Sequence, residues 1–506
     1  MRIHRPGEAS SRRSEARLTL WIGLTAFWFF AVFNHGHFIG SDEVAIFEMT
    51  RSIAEKGELA VPALQHTAPG RDGRRYSFFS PGQSVLALPL YFLGDAAQHV
   101  LPLDWRRALR GPPNGYGPYI FGGTLAITAV GFFSTLASAG LIALFFRFER
   151  RLGTSRRSAL IATGLLATST YVLLMSTYFL RHASEALCLL GAFFLFFRYK
   201  ESGRLQPLFW GAGLASLAFL LRVPNAFAAP ALAAYLGWAI FVRTQRFGQP
   251  LQVLRAALIA LIPLALALAI HAAWNQARWD DFFGSPMVDQ YARLDNPIYI
   301  GLTGFLVSPG ASVFVYSPLL LLLSWTLPGF FRRWRAEASA VVGLAIFLLL
   351  VYSSFNGWEG LWSAPGPRYL FLWTPMLLLS LGPWLDRPGG ARRSIAVGSL
   401  ALVGLAVQVV STVVQWGSVP ALANYLEFEP RWSFLFVPQY APIAEMTRLF
   451  LAGGPYDPWL IRLAGGWTGF EGQPELAVSL FVAWSAGLSA GLVAIHREHR
   501  RLGAGN

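Results

Sequence analysis

Apolar residues run along this chain in long blocks rather than in alternation. Blocks of about 20 mostly apolar residues cross a bilayer as a helix. Such blocks fall near 18–39, 119–146, 158–178, 184–199, 208–222, 224–242, 253–274, 313–331, 338–355, 369–385, 394–414 and 476–495. The pattern predicts an all-α polytopic membrane protein with about twelve transmembrane helices. The blocks 208–222 and 224–242 meet at Val223–Pro224 and are both short, so one broken helix is the alternative there. Polar positions collect in three long loops, 40–118, 275–312 and 415–475. In the first loop, Ile46, Met49 or Thr50, and Ile53 recur at helical spacing, Glu48, Arg51 and Glu55 take another face, and Gly57 is a stop signal. This predicts an amphipathic helix on the membrane surface. Residues 82–93 are apolar but too short to span, which predicts a second interfacial helix.

Composition narrows the class. Of 506 residues, 54% are hydrophobic and 13% charged, against about 25% charged in soluble domains. That excludes a soluble enzyme and a disordered chain, and the single cysteine, Cys188, excludes a disulfide scaffold. The net charge is +14, and all but two of the 41 basic residues are arginine, the exceptions being Lys56 and Lys200. The bias suggests a GC-rich, bacterial genome. The positive-inside rule accounts for the charge without nucleic acid. With the N-terminus inside, the cytoplasmic pieces are 1–17, 147–157, 198–207, 243–255, 332–337, 386–393 and 496–506, and they hold 25 of the 41 basic residues. A span at 82–93 would flip every later loop and lower that count to 16. The expectation is therefore a multi-pass protein of the bacterial cytoplasmic membrane, with both termini cytoplasmic, no cleaved signal peptide, and chemistry at the extracytoplasmic face.

The ionisable residues next to the membrane are the candidates for that chemistry. Asp42 and Glu43 stand just beyond the first span. Acidic residues in a first helical turn favour the helix dipole, and Ser41 or Asp42 is a natural cap; the functional alternative is a carboxylate held at the membrane edge as a base. Gly73-Arg74-Arg75-Tyr76-Ser77-Phe78-Phe79-Ser80-Pro81-Gly82-Gln83 puts two arginines beside the interfacial helix, suited to a lipid phosphate or to plain solvation. Arg181, His182 and Glu185 close the third span, where Arg181 and Glu185 have the spacing of a helical ion pair. Arg222 sits between two apolar runs and must face protein, water or an anion, or snorkel. In the outer loop 357–370, Trp358, Trp362 and Tyr369 suit an interfacial aromatic belt or a sugar-binding face, and Arg368 enters the next helix. His35 and His37 lack a third ligand at fixed spacing, so no metal is expected from them.

The order of these segments resembles the C-type glycosyltransferase superfamily (GT-C), which includes protein O-mannosyltransferases, the lipid A aminoarabinose transferase and the catalytic subunit of oligosaccharyltransferase. The resemblance covers roughly 18–385. It rests on the Asp-Glu pair after the first span, the run from Gly73 to Gln83, Gly301-Leu302-Thr303-Gly304-Phe305-Leu306-Val307-Ser308-Pro309, Val315-Tyr316-Ser317-Pro318 and Gly366-Pro367-Arg368-Tyr369-Leu370. It implies the GT-C fold and a donor sugar on a polyprenyl phosphate. It also implies an acceptor that is a lipid, a glycan or a protein, and contact with membrane lipids. It places the catalytic carboxylate at Asp42, with Glu43 second, and an acidic position of the second outer loop at Glu185. The basic residue of the first loop falls near Arg75, but the usual lysine before the Pro-Gly turn is replaced by Phe78 and Phe79. Arg368, Arg222 and Arg181 are the other candidates for the phosphate ligand, with His182 and Tyr369 beside them. Some relatives use a divalent metal; no cofactor is expected here. On this reading 1–414 is the transmembrane catalytic module and 415–506 an outer loop with a final span. The rival readings are a transporter or flippase of lipid-linked sugars, and an O-antigen-type polymerase or ligase. A transporter predicts broken helices in matching halves and an internal repeat, whereas the polar residues here lie in outer loops.

Overall fold

The computed structural model describes residues 6–109, 114–116, 119–121, 124–245, 248–282, 284, 293–361, 363–420, 428–465 and 472–504. They are overwhelmingly helical. Among them seven helices are long and apolar enough to cross a membrane: Arg13–Phe33, Leu125–Arg151, Val223–Arg243, Pro250–Trp279, Arg335–Ser353, Ala391–Val413 and Pro474–Leu502. Leu205–Leu221 is a shorter apolar helix. The chain is thus a multi-pass membrane protein, and twelve passes are compatible with it. The helix His182–Ser202 is buried almost all round. Other passes are broken. The block 158–178 divides into Arg156–Thr168 and Val172–Met175, and 313–331 into Val313–Tyr316, Pro318–Leu322 and Leu323–Arg333. Proline at 318 removes a backbone donor and forces one break. Freed backbone groups in an apolar interior need partners. Ser317 Oγ accepts the Tyr171 N–H at 3.1 Å, and the buried Gln408 spans both breaks, donating to Tyr316 O at 2.7 Å and accepting from Leu174 N–H at 3.4 Å.

The arginine-rich pieces all meet at one end of the bundle. Arg150 Nε lies 2.8 Å from Glu15 Oε1, Arg17 Nε 3.7 Å from Glu498 Oε1, Arg151 Nη1 4.0 Å from Glu201 Oε2, and Ser155 N donates to Asp386 Oδ2 at 2.7 Å. Lys200 pairs with Glu337. A Cβ on Gly153 would stand 3.0 Å from Arg333 Nη2, and one on Gly203 3.6 Å from Arg243 Cδ. A span at 82–93 would have put Glu15 and Arg150 at opposite ends. Likewise Gly203 beside Arg243 makes Leu205–Leu221 and Val223–Arg243 an outward and a returning pass, not one broken helix.

The opposite end carries the first loop. Helix Ser41–Lys56 ends at Gly57 in the left-handed region (φ 65°), as its sequence predicts, but its cap is Gly40 rather than Ser41 or Asp42. It is not a bare surface helix. Val44, Ile46, Phe47 and Met49 are buried together with Tyr91, Ala126 and Phe179, under helix Gly82–Val100 and the turn Leu125–Gly131. The apolar block 82–93 is the core of that 19-residue helix. Among the described residues, the all-α pattern is interrupted by two short antiparallel hairpins, Thr67–Pro69 with Arg75–Ser77 and Asn114–Tyr116 with Tyr119–Phe121. The closing segment packs into the main core through Trp416, Phe434, Leu435 and Met446, and Trp416 Nε1 donates to Leu361 O at 3.1 Å.

Candidate active site

Asp42 occupies the first turn of Ser41–Lys56 because the chain leaves the first span through Gly40 and turns at once into the helix. A Cβ on Gly40 would stand 3.0 Å from Ser363 Cβ, so glycine there lets loop 357–368 close over the turn. That loop brings Arg368 across: its Nη1 donates to Asp42 Oδ2 at 3.2 Å. Gly360, at φ 62°, makes the bend and leaves Arg368 its space. The other carboxylate oxygen, Asp42 Oδ1, lies 3.2 Å from His66 Nε2. Burial opposes ionisation of Asp42, but Arg368, His66 and Arg181 outweigh it and hold the carboxyl below its ordinary pKa.

Asp42 faces a cavity of about 780 Å³. Its charged walls are Arg181, Arg222, Arg278, Arg368 and Arg431 against Asp42 and Glu359. Buried arginines at membrane depth require counter-charge or an anion. Arg222 Nη1 has Glu185 Oε2 at 3.7 Å and the Tyr352 hydroxyl at 3.3 Å. Arg368 has Asp42. The side chain of Arg181, a residue 8% exposed, makes no hydrogen bond or ion pair with the described residues; its guanidinium lies 4.3 Å over the Phe79 ring and fronts the cavity. Tyr352 and Tyr369 stack at 5.1 Å with a 10° tilt, and Arg222 lies 5.0 Å over Tyr369. Phe78, Phe227, Leu294 and Val351 give the cavity an apolar wall toward the membrane helices.

Six of the residues singled out in the sequence therefore meet around one space: Asp42, Arg181, His182, Arg222, Arg368 and Tyr369. Glu185 stands behind them, against Arg222 and 3.8 Å from His182 Nδ1. The expected Arg181–Glu185 pair does not form, because Arg181 lies on Phe79 and leaves Glu185 to Arg222. Two candidates lie elsewhere. Glu43 is fully buried one residue from Asp42 and points into the fold, where it accepts the N–H groups of Ile39 at 2.7 Å, Gly40 at 2.9 Å and Phe179 at 2.5 Å. Burial pushes its carboxyl up to about 7, against those three donors. Arg75 braces the first hairpin, with Nη2 donating to Thr67 O at 2.7 Å and Nε to Thr67 Oγ1 at 3.1 Å, and it borders a separate hollow beside Glu48 and Arg51. Trp358 is buried against Phe305 and belongs neither to a belt nor to the cavity, and Trp362 lies outside the described residues.

Sequence reasoning missed His66, Arg278 and Glu359. Arg278 ends the long helix Pro250–Trp279, where its Nη1 donates to Ser77 O at 2.5 Å and its Nη2 to Asn275 Oδ1 at 2.8 Å, tying helix to hairpin. His35 and His37 meet Asp457 and Arg462: His37 Nε2 lies 2.9 Å from Asp457 Oδ1 and Arg462 Nη2 3.0 Å from the same oxygen. Among the described residues no group of three His, Cys, Asp or Glu is placed to hold a metal ion.

Residues 116–270 match the model of the dolichyl-phosphate-mannose-protein mannosyltransferase family. No curated protein matches the chain by sequence. Among solved structures, ArnT from Cupriavidus metallidurans bound to undecaprenyl phosphate is 14% identical, with a TM-score of 0.52 over 95% of this chain and 76% of that one. The arabinosyltransferase EmbB from Mycobacterium smegmatis is 13% identical, with a TM-score of 0.47 over 95% of this chain and 44% of that one. The S. cerevisiae Pmt1-Pmt2 protein O-mannosyltransferase complex bound to its sugar donor is 13% identical, with a TM-score of 0.37 over 58% and 36%. Over 95% of its length the chain shares the fold of ArnT, the GT-C fold, and within it residues 116–270 match a glycosyltransferase family model.

Proposed function

We propose that this protein is an inverting transferase. It moves a sugar from a polyprenyl phosphate to a lipid, glycan or protein hydroxyl at the extracytoplasmic face of a bacterial inner membrane. The observation that carries the reading is the presence, in one cavity, of an ionised Asp42 and of Arg181, a buried cation whose side chain makes no ion pair among the described residues. Asp42 takes the proton of the acceptor hydroxyl as that oxygen attacks the anomeric carbon. The bond from that carbon to the phosphate oxygen breaks, and its electrons stay on a phosphate that is already ionised. No second carboxylic acid is then needed to protonate the leaving group, in contrast with a glycosidase. Arg181 binds the donor phosphate, and Arg222 and Arg368 carry the charge that builds on it. Tyr369 and Tyr352 present an aromatic edge to the sugar, and the wall at Phe227, Leu294 and Val351 lies along the prenyl chain. ArnT, the neighbour of similar fold, was solved with undecaprenyl phosphate, which supports a donor of that class. Under the positive-inside rule, the gathered arginine-rich end supports a cytoplasmic position for that end and an extracytoplasmic one for the cavity.

The test is release of undecaprenyl phosphate by the purified protein in bilayer discs. The donors are a panel of undecaprenyl-phosphate sugars, the acceptor is a membrane extract, and wild type is run beside Asp42→Asn. Release by wild type alone, with one donor, is the expected result. Equal release by Asp42→Asn removes Asp42 from the role of base, and no release with any donor removes the donor class.

A further inference from the structure

His66 has no role in the mechanism above, yet it is built into the site with some care. Its residue is in the left-handed region at φ 63°, one of three non-glycine positions with positive φ among the described residues. Such a conformation costs on the order of 1 kcal/mol and persists where the surroundings enforce it. Here Phe78 and Phe79 flank the ring, with centroids at 6.5 and 5.6 Å. The result is that Nε2 sits 3.2 Å from Asp42 Oδ1 and 3.0 Å from Ser41 Oγ, at the cavity wall. Asp42 is thus held between a guanidinium on one oxygen and an imidazole on the other.

On the transferase reading above, we propose that His66 is the proton relay behind Asp42: its Nε2 receives from the carboxylate the proton that the acceptor hydroxyl gives up. Beside the Arg368 and Arg181 guanidinium groups, Asp42 is a weak base on its own, and a base works best when its pKa lies near the working pH. Histidine is the side chain that meets this condition. Among the described residues, Asp42 and Ser41 from the juxtamembrane helix, Arg181 from the start of His182–Ser202, and Arg368 from the outer loop face the imidazole. Burial lowers the His66 pKa, as do Arg368 and Arg181, and they outweigh Asp42. The ring is therefore neutral at neutral pH and offers a lone pair. In the tautomer with hydrogen on Nδ1, Nε2 accepts from the Ser41 hydroxyl at rest. In the reaction the acceptor O–H bond breaks and its electron pair forms the bond to the anomeric carbon. The proton passes from Asp42 to Nε2, and the phosphate leaves with the electrons of the old bond. The His66 side chain, 17% exposed, then returns the proton to water. His66 acts through Asp42 and is a positioning and relay residue, not a group that touches substrate.

The experiment is a pH profile of undecaprenyl phosphate release by the full-length protein in discs, with the undecaprenyl-phosphate sugar that supports transfer. Wild type, His66→Gln, and His66→Ala with and without added imidazole are compared. Wild-type turnover should fall on the acid side of the histidine range, as His66 becomes protonated and can take no further proton. His66→Gln keeps a neutral polar side chain beside Asp42 and Ser41 but cannot relay. Its kcat should fall by roughly a hundredfold, its KM for the donor should stay as in wild type, and the acid limb should vanish. Imidazole should restore turnover, with its limb, to His66→Ala. Wild-type kcat in His66→Gln, a lower kcat that keeps the wild-type limb, or no rescue by imidazole overturns the relay. If neither variant folds, the wild-type profile decides alone: a flat profile across the histidine range refutes the proposal. Release that survives Asp42→Asn is a different failure, since it removes the base itself and the relay with it.

Discussion

Asp42 and Glu43 are neighbouring acidic residues, yet the structure surrounds them differently, and the roles proposed for them divide cleanly in an experiment. Replacing Glu43 by Ala strips the acceptors from three N–H groups, those of Ile39, Gly40 and Phe179, at a residue with no solvent exposure. Leaving a buried donor unpaired costs about 1–3 kcal/mol, so three cost roughly 3 kcal/mol at the least. The loss falls where the first span, the juxtamembrane helix and the loop before His182–Ser202 are tied together. Replacing Asp42 by Asn keeps a side chain of the same shape that still accepts from Arg368. Melting followed by fluorescence-detected size exclusion should therefore show Glu43→Ala unfolding several degrees below wild type, with Asp42→Asn close to wild type. Transfer measured below both melting points should show the reverse: activity retained by Glu43→Ala and abolished in Asp42→Asn. A Glu43→Ala protein that melts like wild type and is inactive would refute the reasoning, because it would make Glu43 the reacting carboxylate and the three N–H groups indifferent to it.

Other consequences are read with the same preparations. Arg181→Met should weaken binding of undecaprenyl phosphate by roughly tenfold to a hundredfold, the worth of one charge-assisted contact, with little change in melting, since the side chain of Arg181 makes no hydrogen bond or ion pair with the described residues; unchanged binding would move the phosphate to Arg222 or Arg368. Burial pushes His35 down from 6.5 to about 4, so the folded state binds fewer protons than the unfolded one between those values. Its contribution is full above 6.5 and is lost as pH falls toward 4, worth roughly 3 kcal/mol; His35→Gln should flatten the acid loss of stability in that window, and an unchanged slope would show that His35 is not its source. Gly304→Val should misfold or melt early, because a side chain there meets the Trp358 ring, whereas Gly343→Ala, in open space on a membrane helix, should be silent in the same melt.

What the sequence revealed and what it hid follow from the range of the interactions involved. Hydropathy and arginine placement are local, and they sufficed to put seven separate pieces of chain at one end of the bundle and Asp42 at the other. Glu43 was not separable from Asp42, because one residue along a helix is a rotation of about 100°; that step turns a carboxylate from the cavity into the backbone of Ile39, Gly40 and Phe179. Arg75 sits in a hairpin whose pairing of Thr67 with Ser77 sends its guanidinium back across the ladder, and a three-residue strand carries too little alternation to announce itself. His66 depends on a left-handed backbone that no residue type at that position signals. Arg278 closes a 30-residue helix, so its height relative to Ser77 depends on a register accumulated over about 45 Å. Asp42 meets Arg368 across 326 residues of chain. Sidedness tells which charged groups share a face of the membrane, and it leaves open which of them touch. The arginines at the outer end show why that difference matters. By count they look like solvated loop charge, and only the fold shows Arg181 buried near Asp42 with no direct ion pair among the described residues. On the proposed function, that direct partner is the phosphate of the donor.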